Sequence, residues 1–291
     1  MELPLVVGVD GSDSSLRATD WAVDEAARHG VPLRLVYASL WERYEGAVPP
    51  DSLDSPAERL LAENIVATAA SRARLRDPDV KVAAEAVPEE AVTALLDAAR
   101  NASALVTGAR GRGELKSLLL GSVSLAVAAR AHCPVIVVRG DQAAIAGTRR
   151  RIVLGVGAAG TGSAAVEFAF REAELRHCAL DAVRAWRCPA HETADHPLLT
   201  GEPDRYHEEQ ASGRLDEALH QAERAHPGVR VRRRTVEGPA RQALLERSAA
   251  ADLLVIGARR RTTHFGLQLG RASHTLLHHA ACPVAIVPGR A

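Results

Sequence analysis

Glycine and serine residues in the first half of the chain have the spacing of a phosphate-binding loop. Gly108 and Gly111 are followed, after nine intervening residues, by a Gly-Ser pair, which gives the pattern G-x2-G-x9-G-S. Glycines lack a Cβ atom, so backbone N–H groups can approach phosphate oxygens there, and serine hydroxyls can donate further hydrogen bonds. A Gly pair after a strand is often plain turn chemistry, but three glycines and two hydroxyls at this spacing favour a polyphosphate site. The candidate residues are Gly108, Gly111, Gly121, Ser122, Val123 and Ser124.

A carboxylate and two guanidinium groups accompany these residues. Asp10 directly follows the first apolar run, where it can accept a hydrogen bond from a ribose hydroxyl or an adenine amino group. It can equally cap a turn, as Asp before Gly-Ser often does. Arg110 and Arg112 flank the loop and are candidates for pairing with phosphate, although most surface arginines are solvated. The residues alone leave these alternatives open.

Alternating strands and helices must position these groups. Short β-branched runs alternate with longer segments of helical period, which is typical of βαβ units and a parallel sheet buried on both faces. In such sheets ligands bind at the carboxyl ends of the strands, where the strand order reverses. The pattern predicts an α/β fold with an open, doubly wound, five-stranded parallel sheet. The predicted strands are 5–9, 33–38, 80–87, 104–107 and 135–138, and the predicted helices are 14–28, 56–76, 89–101 and 122–131.

The second half of the chain repeats the first. LVVGVDGSDSS matches IVLGVGAAGTGSAA, and LLLGSVSLAVAARAHCPVIVV matches LQLGRASHTLLHHAACPVAIV. Gly8 pairs with Gly155 and Gly108 with Gly257, at nearly equal offsets of 147 and 149 residues. The repeat predicts two tandem domains, 1–141 and 149–291, joined by a linker over 140–151 that has no apolar periodicity.

VVGVDGS, LVYA, TGARGRG, LLLGSVS and CPVIVV together resemble the universal stress protein family in its tandem two-domain form. The resemblance covers almost the whole chain. It implies a fold of the adenine nucleotide alpha-hydrolase type, ATP binding in the branch with this glycine pattern, and dimers formed through the last strand. It further implies that Val9 flanks the base, that Asp10 lies near the adenosine, and that the backbone of Ala38 holds the adenine edge. Thr107 joins the phosphate and ribose loop on the same ground.

The second copy departs from this pattern at three positions. Gly157 stands where the first copy has Asp10, Arg260 where it has Gly111, and Arg271 where it has Ser122. A carboxylate acceptor and a small loop position are lost, and cations appear. We expect the second site to bind nucleotide weakly or not at all; the alternative is that Arg260 and Arg271 hold a different anion.

Composition excludes several classes of function. Lys and Arg number 36 against 36 Asp and Glu, and aromatic residues make up 3% of the chain, so a dedicated nucleic-acid binder is not expected. No apolar run approaches the length of a membrane span, and the start lacks a secretory signal, so we expect no membrane partner and a cytoplasmic location. Cys133 and Cys282 precede matching strands and are predicted to be buried, and Cys178 with Cys188 is a weak disulfide candidate.

No catalytic constellation lies at the predicted crevice, and Lys81 and Lys116 are the only lysines. The leading hypothesis is an ATP-binding regulatory protein. The alternatives are a slow ATP hydrolase of the same superfamily, and a dimerisation scaffold without nucleotide. Whether magnesium accompanies ATP stays open. We expect the two copies to pair through 135–138 and 284–287, giving a pseudo-dimer within one chain, and a homo-oligomer beyond it.

Overall fold

The computed structural model describes residues 2–40, 54–109, 120–157, 163–187, 203–258 and 269–289. Their contacts divide the chain into two compact units, the first ending at Arg139 and the second beginning at Gly140. None of the described helices combines the length and the apolar composition that crossing a bilayer requires.

The first unit is an open parallel sheet with its strands in the order β3-β2-β1-β4-β5. Both neighbours of β1 run parallel to it, as do the outer pairs. The predicted α/β class and doubly wound topology are confirmed, and the bounds differ from the prediction by a few residues at most. Its elements are β1 (Leu5–Gly8), α1 (Asp13–His29), β2 (Leu33–Ala38), α2 (Asp54–Arg76), β3 (Val82–Val87), α3 (Ala91–Ala99), β4 (Ala104–Gly108), α4 (Ser122–Arg130) and β5 (Val135–Val138).

Burial of the central strands explains why their sequences are continuous apolar runs. Val6, Val7, Leu105 and Val106 are fully buried because helices cover both faces of the sheet. Trp21 of α1 lies against this core with 2% of its surface exposed. The chain between β1 and α1 is therefore held tightly, which matters for the site described below.

The second unit repeats this topology with the strand order β8-β7-β6-β9-β10, again all parallel. The expected linker contains one helical turn, α5 (Gln142–Ile145), which the prediction omitted. Asp141 caps that turn by accepting from Ala144 N at 2.8 Å, and Ala144 is fully buried. The remaining elements are β6 (Arg151–Gly155), α6 (Ser163–Leu175), β7 (Ala179–Trp186), α7 (Pro203–Ala225), β8 (Val231–Glu237), α8 (Ala240–Ser248), β9 (Leu253–Ala258), α9 (Arg271–His279) and β10 (Val284–Pro288).

Each unit has one point at which the strand order reverses. In the first unit it lies between β1 and β4, and in the second between β6 and β9. The connections leave these strands toward opposite faces, which opens a crevice beyond their carboxyl ends. Both crevices therefore occur where the sequence pattern predicts them.

Candidate functional site

A cavity of about 480 Å³ opens at the reversal point of the first unit. Its volume falls within the range of about 300–1,000 Å³ that is usual for small-molecule sites. The structure brings nine of the predicted residues to its wall: Val9, Asp10, Ala38, Thr107, Gly108, Gly121, Ser122, Val123 and Ser124. The ends of three strands and the start of one helix thus face a single space.

Asp10 has the turn-capping role that the sequence left open as one alternative, and its second carboxylate oxygen stays available for the other. Its Oδ1 accepts from the backbone N–H of Ser12 at 3.0 Å and from the Ser12 hydroxyl at 2.6 Å, which fixes the turn before α1. Ser12 is the N-cap of that helix and accepts from Ser15 N. Within the described residues, Oδ2 of Asp10 accepts no hydrogen bond. One carboxylate oxygen is thus structural, and the other is free to bind a donor in the cavity.

Ala38 presents unpaired backbone groups to the same cavity. Val36 O accepts from Val9 N at 2.9 Å, and Ala38, two residues further along β2, faces the same side. Strand β1 has already ended there, so neither the N–H nor the C=O of Ala38 has a partner in the described part of the chain. A donor and an acceptor so close together suit the edge of a planar heterocycle. Val9, 5% exposed, lies beside this edge.

The start of α4 supplies donors at the other side of the cavity. Gly121 is its N-cap, and no side chain caps the helix. The first turn leaves the N–H groups of Ser122, Val123 and Ser124 without helical partners, and the helix dipole adds partial positive charge there. The hydroxyl of Ser124 is directed elsewhere, because it donates to Gly108 O at 2.8 Å. Ser124 therefore offers only its N–H, whereas Ser122 is exposed and offers both groups.

The surroundings of two residues at the end of β4, Gly108 and Thr107, constrain which amino acids can stand there. A Cβ atom on Gly108 would lie 2.7 Å from the backbone carbonyl of Ser14, so the packing of α1 requires a glycine at this position. Thr107 is 4% exposed, and its buried Oγ1 has no hydrogen-bond partner among the described residues. A buried hydroxyl without a partner is costly, and a ligand in this cavity would satisfy it.

The sequence did not predict every residue of the cavity wall. Tyr37, Ala91 and Leu95 also line the cavity, and the last two come from α3. Glu90 caps that helix, and hydrogen bonds from the N–H groups of Val92 and Thr93 lower the pKa of its carboxyl. The apolar face of α3 was visible in the sequence, but its position over the crevice depends on the tertiary packing. Gly111, Arg110 and Arg112 lie outside the described residues.

The crevice of the second unit is smaller and differs in chemistry. Its volume is about 220 Å³, less than half that of the first. Gly157 lines it, and the guanidinium of Arg184 donates to the Gly157 carbonyl. Arg184 occupies the position of Tyr37, because β7 pairs with β6 as β2 pairs with β1. Arg271 is exposed at the mouth, and Arg260 lies outside the described residues.

Among the residues that the structure describes, no cysteine or histidine lines either crevice. Cys133 and Cys282 are buried, as predicted. Burial raises the pKa of the Cys133 and Cys178 thiols to about 11, so both stay protonated at neutral pH. Cys188, His191 and His196 fall outside the described residues. His207 lies on α7.

Comparison with known proteins finds similarity to one family along nearly the whole chain. A family model described as "Universal stress protein family" matches residues 3–139 and again 148–288. A universal stress protein of Mycobacterium tuberculosis is 31% identical over 293 residues, covering 98% of this chain and 96% of that protein. One from Mycolicibacterium smegmatis is 29% identical and covers 99% and 98%. The crystal structure of a universal stress protein from Archaeoglobus fulgidus covers 99% of both chains with a TM-score of 0.71 at 18% identity, which shows the fold. The chain therefore belongs to the universal stress protein family and carries two of its domains in tandem.

Proposed function

We propose that the first unit binds ATP in its crevice, and that the bound nucleotide makes this protein a regulatory component of a stress response. The observation that carries the proposal is the convergence of unpaired groups on one cavity of about 480 Å³. A free carboxylate oxygen, a free backbone edge and the start of a helix lie around it. These groups match a nucleoside at one end and phosphates at the other.

The chemistry of each group assigns an orientation to the nucleotide. The N–H groups of Ser122, Val123 and Ser124 would bind phosphate oxygens, supported by the helix dipole. Oδ2 of Asp10 would accept from a ribose hydroxyl, and the backbone of Ala38 would hold the adenine edge beside Val9. A purine nucleotide has its hydrogen-bonding base and ribose at one end and its negatively charged phosphates at the other, which matches this arrangement.

The choice of ATP over other nucleotides depends on the glycine spacing. Gly111 and Arg112 complete the G-x2-G-x9-G-S loop and would meet the outer phosphates, where magnesium can accompany them. Among the described residues of the wall, Asp10 and Tyr37 are the only titratable groups. Oδ1 of Asp10 is engaged in the turn, so this wall supports binding better than rapid hydrolysis.

The test is the nucleotide content of the purified protein. The protein is denatured and its supernatant analysed by chromatography, both at once and after hours of incubation. We expect one adenine nucleotide per chain, retained as ATP. Conversion to ADP over that time would favour a slow hydrolase, and a chain that neither retains nor binds ATP would leave a scaffold role.

A further inference from the structure

A buried cation in the second crevice has no counter-charge among the described residues. Arg184 is 9% exposed, and the hydrogen bond it makes in the described chain goes to a neutral acceptor, the carbonyl of Gly157. No described carboxylate lies within ion-pair distance of it. Burial lowers the pKa of Arg184, and the nearby charge of Arg214 lowers it further. A buried charge that is neither paired nor fully hydrogen-bonded is unfavourable, so this site favours an external anion.

A second buried donor lines the same space. Ser273 on α9 is 7% exposed, and its hydroxyl has no hydrogen-bond partner within the described residues. In the first unit the corresponding hydroxyl of Ser124 donates to Gly108 O at 2.8 Å. The hydroxyl of Ser273 thus has a proton to donate, next to the uncapped N–H groups at the start of α9.

The mouth of the crevice is also cationic. A neighbouring depression of about 330 Å³ shares Ala185, Ala240 and Ala272 with the crevice wall. Arg187, Arg241 and Arg271 line that depression, and no carboxylate side chain lines either space in the described part of the unit. The donors therefore extend from the bottom of the crevice to its rim.

We infer that the second crevice is a phosphate site, with one phosphate group held by Arg184, Ser273 and the start of α9. Ligands with further phosphates would reach the rim arginines. An adenine nucleoside is not the expected ligand, because this crevice has less than half the volume of the first and lacks the carboxylate of Asp10, which Gly157 replaces. The inference is independent of ATP binding by the first unit.

The test is titration of the full-length protein with inorganic phosphate by calorimetry at low ionic strength. Arg184→Leu is expected to weaken binding by about tenfold or more, since it removes charged hydrogen bonds to the anion. The matched change in the first crevice, Tyr37→Leu, is expected to leave that binding component unchanged. Equal affinity in wild type and Arg184→Leu overturns the inference, as does absence of phosphate binding in the wild type.

A second variant keeps the buried arginine and so avoids a folding defect. A Cβ atom on Gly157 meets nothing within 4 Å, so Gly157→Asp places a carboxylate beside Arg184 without a clash. The internal ion pair should abolish phosphate binding, and Ser273→Ala should weaken it while Ser124→Ala does not. Undiminished binding in Gly157→Asp refutes the assignment.

Titration with tripolyphosphate distinguishes the kind of phosphate ligand. If the rim takes part, Arg241→Gln weakens tripolyphosphate binding but leaves inorganic phosphate binding unchanged, which identifies an oligophosphate ligand. If Arg241→Gln changes neither affinity, the ligand is a single phosphate group held at the bottom of the crevice. Both results keep the phosphate site. The first crevice is also expected to bind tripolyphosphate, so the contradicting result is a wild-type titration in which Arg184→Leu leaves every binding component unchanged.

Discussion

In the first crevice, some polar atoms of a residue make hydrogen bonds within the protein while others of the same residue face the open cavity. Asp10 uses one oxygen to fix the turn before α1, at 3.0 Å from Ser12 N, and leaves the other free. Ser124 donates its hydroxyl proton to β4 and keeps only its N–H for the cavity. Substitutions that separate these roles are therefore the informative ones.

Asp10→Asn tests the free oxygen. The amide keeps an oxygen that can accept from Ser12 N, so the turn is retained, but the charge is lost. We expect ATP affinity to fall by about tenfold, as for loss of a hydrogen bond to a charged group, with little change in thermal stability. Calorimetry with ATP measures the first effect, and binding of inorganic triphosphate, which lacks the nucleoside, should not change. Unaltered ATP affinity would remove Asp10 from the site.

Thr107→Val tests the buried hydroxyl. Because Oγ1 has no partner among the described residues, replacing it by a methyl group of similar shape removes a desolvation cost. We expect the ligand-free protein to become more stable by about 1 kcal/mol, or a few degrees in the melting temperature, while ATP binds more weakly. Thr107→Ser is the control that keeps the hydroxyl. A lower melting temperature in Thr107→Val would mean that the hydroxyl is already satisfied.

Among the secondary-structure elements, the start of α4 is the feature on which the proposed phosphate binding depends. Gly121 has φ −61° and ψ 143°, an extended conformation that a following proline accepts. Proline is also favoured at the first position of a helix, where its missing N–H costs the helix nothing.

Ser122→Pro therefore deletes one phosphate donor and leaves the helix intact. We expect ATP affinity to drop several-fold, with an unchanged circular dichroism spectrum. Arg271→Pro at the start of α9 is the matched control, since Gly270 has a similar conformation, φ −60° and ψ 156°. ATP binding that survives Ser122→Pro undiminished would place the phosphates elsewhere.

The second element-level feature joins the end of α7 to α6. His226, just beyond α7, contacts Glu174 at 2.8 Å and Glu167 at 3.2 Å. Burial alone would lower the pKa of His226, but the hydrogen bonds that its ring donates to the two carboxylates, together with their charges, outweigh burial and raise the pKa. Because the folded state holds the proton more tightly, this stabilisation is full below the ordinary histidine pKa and is lost as the pH rises through the raised value.

His226→Gln should accordingly lower the melting temperature at about pH 6, and the difference from wild type should shrink by about pH 9. Solvent screens both glutamates, which limits the expected effect to about 0.5–1 kcal/mol. Thermal melts across this range measure it. His220→Gln on the exposed face of α7 is the control, and a deficit that is constant with pH would exclude the ionised contact as its cause.

At the scale of the molecule, duplication has left two crevices with different chemistry. The first has a carboxylate and a large cavity, and the second has a buried arginine and about 220 Å³. Pairing of the two copies through 135–138 and 284–287 and a further homo-oligomer stay predictions, as does the division at 1–141 and 149–291.

The difference between the crevices predicts one tight ATP site per chain. Gly111→Arg, which copies Arg260 of the second unit, should abolish that site because the side chain crowds the phosphate loop. Equilibrium dialysis with ATP measures the stoichiometry. Arg260→Gly is the reciprocal control and should not create a second site, since Gly157 and Arg184 still differ from the first crevice. Two equal sites in the wild type would contradict this account.

From the sequence alone we could predict the α/β class, the tandem repeat and, to within a few residues, the strand and helix bounds of the first unit, because apolar periodicity and glycine spacing are local properties. The sequence also indicated which loops meet at the crevice, since carboxyl ends of parallel strands share one edge. The contacts of each residue there follow from tertiary packing. Gly108 is a glycine because α1 packs against it, and Arg184, which no motif singled out, lines the second crevice. Such roles depend on contacts between residues far apart in the chain, and a local pattern carries no record of them.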